Sequence, residues 1–175
     1  MDNLEKIAIS LGNTCKPAVF SVDNGLRRRK EEGYNTCVFD LMVSNYNGVC
    51  ECINSDFADF CNTDYLIMRS DPVIYHTKYR FDFNHETPGH GDLYLHENWK
   101  EGTNHFINNN YKNFIERYNN RIKSFINYLN DPTKYIIFII HFFYEKKPDN
   151  DFLQLREILK RKYPHLKYEI REIKE

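Results

Sequence analysis

The last third of the chain constrains the fold most. Tyr135–Phe143 is a nearly continuous apolar run, broken by His141. It suits a strand and is about half of what spans a bilayer. A strand without polar alternation belongs where both of its faces are covered. Asp151 to Tyr163 then repeats apolar residues at helical spacing. Pro164 stops that helix, and Asp149, Asn150 or Asp151 is the candidate cap. Leu166, Tyr168 and Ile170 alternate as a final strand. Strand, helix and strand in this order predict a parallel βαβ unit with a right-handed crossover. Just upstream, Tyr111, Phe114, Ile115, Tyr118, Ile122, Phe125, Ile126 and Leu129 recur at helical spacing until Asp131-Pro132.

The first half is less periodic. Lys6–Leu11 alternates as a short strand, and Gly12-Asn13-Thr14 reads as a turn. A helix is expected from Cys15, with Pro17 tolerated in its first turn. It should run to about Arg29 unless Asp23-Asn24-Gly25 interrupts it. Thr36–Met42 suits a strand or a buried turn, and Val49–Phe60 a helix. Lys78–Phe83 reads as a strand ending at Asn84-His85-Glu86. Thr87–Gly102 reads as a loop rich in Gly, His and charge. No repeat or linker stands out. Residues 1–175 are therefore expected to form a single α/β domain, a mixed sheet flanked by helices, and 175 residues can bury a continuous core.

The net charge of −1 gives no reason to expect a nucleic acid or an anionic membrane as partner. The basic cluster Arg27–Lys30 reads as a solvated helix end. No apolar run follows a basic start, so no secretory signal is expected. Five cysteines without framework spacing suit reduced thiols in the cytoplasm. No cofactor is expected, and the oligomeric state is open.

The best candidate for chemistry is Cys15. A thiol becomes nucleophilic when it ionises, and the N-terminus of a helix stabilises the thiolate. The same N–H groups can hold the oxyanion of an acyl-transfer intermediate, with Asn13 adding a side-chain donor. Such a nucleophile needs an imidazole as base and a third group to orient it.

These residues carry a resemblance. Ile9-Ser10-Leu11-Gly12-Asn13-Thr14-Cys15, then Gly25-Leu26-Arg27, Val38-Phe39-Asp40-Leu41 and Phe83-Asn84-His85 resemble the ordered boxes of a family of papain-like cysteine peptidases found in bacteria and large DNA viruses. The helix bearing Arg117 and Arg121 and the strand at Ile136–Phe138 follow the same order. Cys37 stands where Pro is usual, and Leu41 where Trp is usual. The resemblance implies a papain-like site acting on a peptide, isopeptide or other acyl bond, in the host cytoplasm if the source is viral. It singles out Cys15 as nucleophile and His85 as base. Asp40 is one candidate orienter, because a buried carboxylate needs a partner and an imidazolium is a natural one. Asp92 is the other, since it follows His85 in the order Cys, His, Asp.

Three further readings stand beside this one. His85, Glu86, His90, Asp92 and His96 are good ligands for zinc or another divalent metal, which would make a metal-dependent hydrolase. Cys37, Cys50, Cys52 and Cys61 could hold a structural zinc, although no paired C-x-x-C occurs. Alternatively, the fold could serve as a catalytically inactive binding module.

Overall fold

A computed structural model of the protein describes residues 4–87 and 99–174. In chain order the elements are β1 (Glu5–Ser10), α1 (Lys16–Asp23), α2 (Tyr46–Asn54), β2 (Leu66–Met68), β3 (Ile74–His76), β4 (Phe81–Asp82), α3 (Asn108–Asn130), β5 (Lys134–Ile140), α4 (Leu153–Lys162) and β6 (Lys167–Glu172). They form a mixed α/β fold with one parallel and one antiparallel sheet, flanked by helices.

The parallel sheet has the order β1-β5-β6. β5 is its centre, in register with β1 from Glu5↔Lys134 to Ser10↔Ile139 and with β6 from Tyr135↔Lys167 to Ile140↔Glu172. The expected parallel βαβ unit is therefore β5-α4-β6. Both faces of β5 are covered, which explains its unbroken apolar sequence. Ile136, Phe138 and Ile140 enter the large core, which takes in Phe114, Tyr118, Phe125 and Leu129 of α3. Ile137 and Ile139 point the other way and cluster with Ala8 and Ile173, under Phe20 of α1 and Leu26. Thus α1 covers one face and α3 the other.

The antiparallel sheet β2-β3-β4 was not legible as such, because its strands are only two or three residues long. Of the expected strand Lys78–Phe83, only Phe81–Asp82 is strand. Arg80 turns back with φ 57°, and its N–H bonds to the His76 carbonyl at 2.8 Å. An isolated bridge from Val43 to Asp82 ties this sheet to the segment beside β1.

Several boundaries are corrected. α1 stops at Asp23, at the Asp23-Asn24-Gly25 interruption that the sequence left open, rather than near Arg29. Gly25 takes φ +64°, and the N–H of Leu26 closes the helix on the Ser21 carbonyl at 2.8 Å. The basic cluster is consequently not a helix end, and the Arg27 side chain is buried. Thr36–Met42 is a buried turn rather than a strand. α2 starts earlier than expected, capped by Asn45, whose Oδ1 accepts from the Gly48 N–H at 2.8 Å. It ends at Asn54, before the left-handed Asp56 and Phe57. α4 starts through left-handed Asp151 and Phe152, without a side-chain cap. Among the described residues, no helix is long and apolar enough to cross a membrane.

Candidate active site

β1 ends at Ser10 and α1 begins at Lys16, so the turn between them makes Cys15 the N-cap residue of α1. Gly12 and Asn13 both adopt left-handed backbone, with φ +83° and 70°. A Cβ at position 12 would overlap the Ser44 hydroxyl, so a glycine is needed there. Ser44 Oγ accepts from the Asn13 N–H at 2.7 Å and donates to the Leu11 carbonyl at 3.4 Å. Thr14 Oγ1 accepts from the Lys16 N–H at 3.2 Å, and the Cys15 carbonyl accepts from Ala18 and Val19. The Cys15 side chain makes no capping bond and is half-buried. The positive end of the α1 dipole lies at this thiol.

The Asn13 side chain is buried and bonded at both ends. Its Oδ1 accepts from the N–H groups of Phe143 (2.8 Å) and Tyr144 (3.3 Å). Its Nδ2 donates to Glu145 Oε1 at 3.2 Å and to the Ser44 carbonyl at 3.5 Å. Glu145 Oε1 also accepts from the Tyr46 N–H at 2.6 Å, at the start of α2. Burial pushes the Glu145 carboxyl up, against these hydrogen bonds. Asn13 is therefore a clasp between the Cys15 turn and the segment after β5. A cleft of about 310 Å³, lined by Tyr46, Asn47, Glu145 and Gln154, opens beside it.

That segment begins with His141, directly after β5 and 3% exposed. Its ring centroid is 5.9 Å from that of Phe143. Phe143 and Tyr144 are exposed and meet edge to face at 4.8 Å. Sequence reasoning treated His141 only as a break in an apolar run. The available signal was its position: in open α/β sheets, ligands sit outside the carboxyl ends of the strands.

The other expected residues are held elsewhere. His85 is half-buried in a 3-10 turn, Asn84–Glu86. The adjacent Glu86 is fully buried and accepts from Arg117 (2.9 Å), Arg121 (3.2 Å) and the Tyr118 hydroxyl (3.0 Å), which fastens this turn to α3. Asp40 is 1% exposed and accepts from Arg27 (2.8 Å), the Tyr34 hydroxyl (2.9 Å) and the Cys37 N–H (2.8 Å). Burial works against the Arg27 charge, but Asp40 outweighs it and holds the guanidinium above its ordinary range. Asp92, His90 and His96 lie outside the described residues. Among the described residues, no group of three or more His, Cys, Asp or Glu is gathered as for a metal. The four other cysteines are raised by burial, Cys50 and Cys61 to about 11, and Cys37 and Cys52 well above their usual value. A cavity of about 870 Å³, lined by Glu5, Lys6, Arg27 and Lys134, lies at the amino-terminal edge of the parallel sheet, the edge opposite Cys15.

Comparison with curated proteins and with solved structures returns no match. A family model does match, over residues 6–173, from β1 to the residue after β6. With a half-buried thiol at a strand-to-helix turn inside that span, the chain belongs to the family described as putative papain-like cysteine peptidases.

Proposed function

We propose that this protein is a thiol-dependent hydrolase that uses Cys15 to cleave an amide bond in a peptide or protein. The observation that carries this reading is the setting of Cys15. It alone among the five cysteines stands at the start of a helix, at the carboxyl edge of a parallel strand, without a side-chain capping bond. The other four thiols are displaced upward by burial and are poor nucleophiles near neutral pH. The thiolate attacks the scissile carbonyl, and the N–H of Cys15 is the donor offered to the oxyanion, since the N–H groups of Asn13, Lys16, Ala18 and Val19 are engaged within the turn and Pro17 has none. Asn13 holds the turn in place. The family supplies the substrate class, a peptide bond.

Low-dose iodoacetamide near neutral pH, read by peptide mass spectrometry, tests this. Cys15 should be alkylated before Cys37, Cys50, Cys52 and Cys61, and Cys15→Ala should abolish hydrolysis of a peptide library. Labelling of Cys15 no faster than Cys61, together with full activity of Cys15→Ala, sinks the proposal.

A further inference from the structure

We infer that the general base paired with Cys15 is His141, in the place where His85 was expected; this rests on the reading of Cys15 as nucleophile.

Three observations converge. The first is register. The Leu11 N–H bonds to the Ile139 carbonyl at 2.9 Å, so the residues that follow β1 and those that follow β5 leave the sheet side by side. The second is parity. Ile137 and Ile139 point to the face covered by α1, and the next side chain in that alternation is His141. α1 starts at this edge, with Cys15 at its N-cap. The third is the clasp. Asn13 Oδ1 holds the N–H of Phe143, and Cys15 and His141 each lie two residues from that bond. Two residues span at most about 7 Å, so the clasp ties both positions to the same edge of the sheet.

The turn that carries His85 is fastened elsewhere. Its turn is fastened through Glu86 to Arg117, Tyr118 and Arg121 of α3. α3 packs on the face of the parallel sheet opposite α1.

In the step this assigns, a ring nitrogen of His141 takes the thiol proton as the sulfur lone pair bonds to the carbonyl carbon. The carbonyl π pair moves onto oxygen. Collapse breaks the C–N bond, and the imidazolium returns its proton to the departing amine. Water then repeats the attack on the thioester, giving its proton to His141 and freeing the acid and the thiol.

The experiment follows iodoacetamide labelling of Cys15 in the full chain from pH 5 to 9. His141→Gln should slow labelling at pH 6 about tenfold or more, because a thiolate stabilised by imidazolium is lost. The same change at His85 should leave the profile within about twofold. Since His141 is buried, circular dichroism confirms that the variant is folded, and a second measurement leaves position 141 untouched. Cys15→Ser should move the NMR titration of the His141 ring to lower pH and leave the His85 ring unmoved. The inference is overturned if His85→Gln shifts the labelling profile and His141→Gln does not, or if Cys15→Ser moves only the His85 ring. In either case rapid labelling of Cys15 still supports the nucleophile. A Cys15 as slow as Cys61 in the unaltered protein overturns the proposed function itself.

Discussion

Asp40→Ala isolates what the carboxylate of Val38-Phe39-Asp40-Leu41 does physically. The carboxylate is 1% exposed and accepts from three donors, and the Arg27 side chain is 6% exposed. Truncation leaves a guanidinium buried without its counter-charge. Removing one partner of a buried ion pair costs about 3–5 kcal/mol. The Tyr34 hydroxyl and the Cys37 N–H also lose their acceptor, at about 1 kcal/mol each if they act independently. These groups touch, so the losses overlap, and about 4 kcal/mol is the expected total. Arg27 keeps its place over the Tyr34 ring, 4.0 Å from the centroid, which limits collapse of the site. For a domain of this size, each kcal/mol lowers Tm by about 2–4 °C, so Asp40→Ala should melt about 8–16 °C lower. Urea unfolding followed by circular dichroism and Trp99 fluorescence reads the free energy directly. The double variant Arg27→Met/Asp40→Ala should be less destabilised than the sum of the singles by about 2 kcal/mol, since no uncompensated charge remains. A cost below about 1 kcal/mol for Asp40→Ala, or strict additivity in the cycle, would refute the ion-pair reasoning.

Gly12→Ala should cost about 2 kcal/mol or more, from positive φ and overlap with Ser44 Oγ, and should slow Cys15 labelling because the turn shifts; unchanged melting and labelling would contradict it. Asn13→Ala removes the clasp and should lower stability by about 2–3 kcal/mol while raising amide exchange at Phe143 and Tyr144, as read by hydrogen exchange. His76 is fully buried, its Nδ1 accepting from the Tyr79 N–H at 3.2 Å and its Nε2 lying 3.0 Å from the Asp59 carbonyl, which holds one neutral tautomer. Burial depresses its pKa below 6.5, so the unfolded chain binds the proton first. Stability should therefore be full above pH ~6.5 and fall as the pH drops through the folded value, and His76→Gln should flatten that slope in pH-dependent urea melts.

The parts of the fold that were legible are those where one pattern had no competitor. β5 was apolar on both faces, and the amphipathic residues from Tyr111 to Leu129 admit only a helix. The short strands β2, β3 and β4 were hidden because two or three residues do not establish a period, and long-range pairing decides them. The end of α1 was left between two positions because the Ala-, Val- and Phe-bearing stretch continues into Leu26, whereas Gly25 offered the backbone the exit it takes. At the site, the turn that carries Cys15 was visible from Gly12-Asn13 and Pro17. The role of Asn13 was not, because its partners at 143–145 lie 130 or more residues away. Asp40 was correctly marked as a carboxylate needing a partner. That the partner is Arg27 depended on the chain turning at Gly25, which placed a residue of an apparently solvated basic cluster inside the protein.

The pairing of β1 with β5 has a consequence in time. The first strand has its parallel partner 129 residues later, at Glu5 and Lys134, and Asn13 clasps the turn bearing the thiol to the segment after that partner. Contacts this distant in sequence form late in folding. A newly made chain therefore carries an unassembled cysteine until its carboxyl-terminal third has emerged and docked. On the proposed reading of Cys15, reactivity is withheld from the polypeptide at the stage when its own exposed backbone would be the nearest thing to cut.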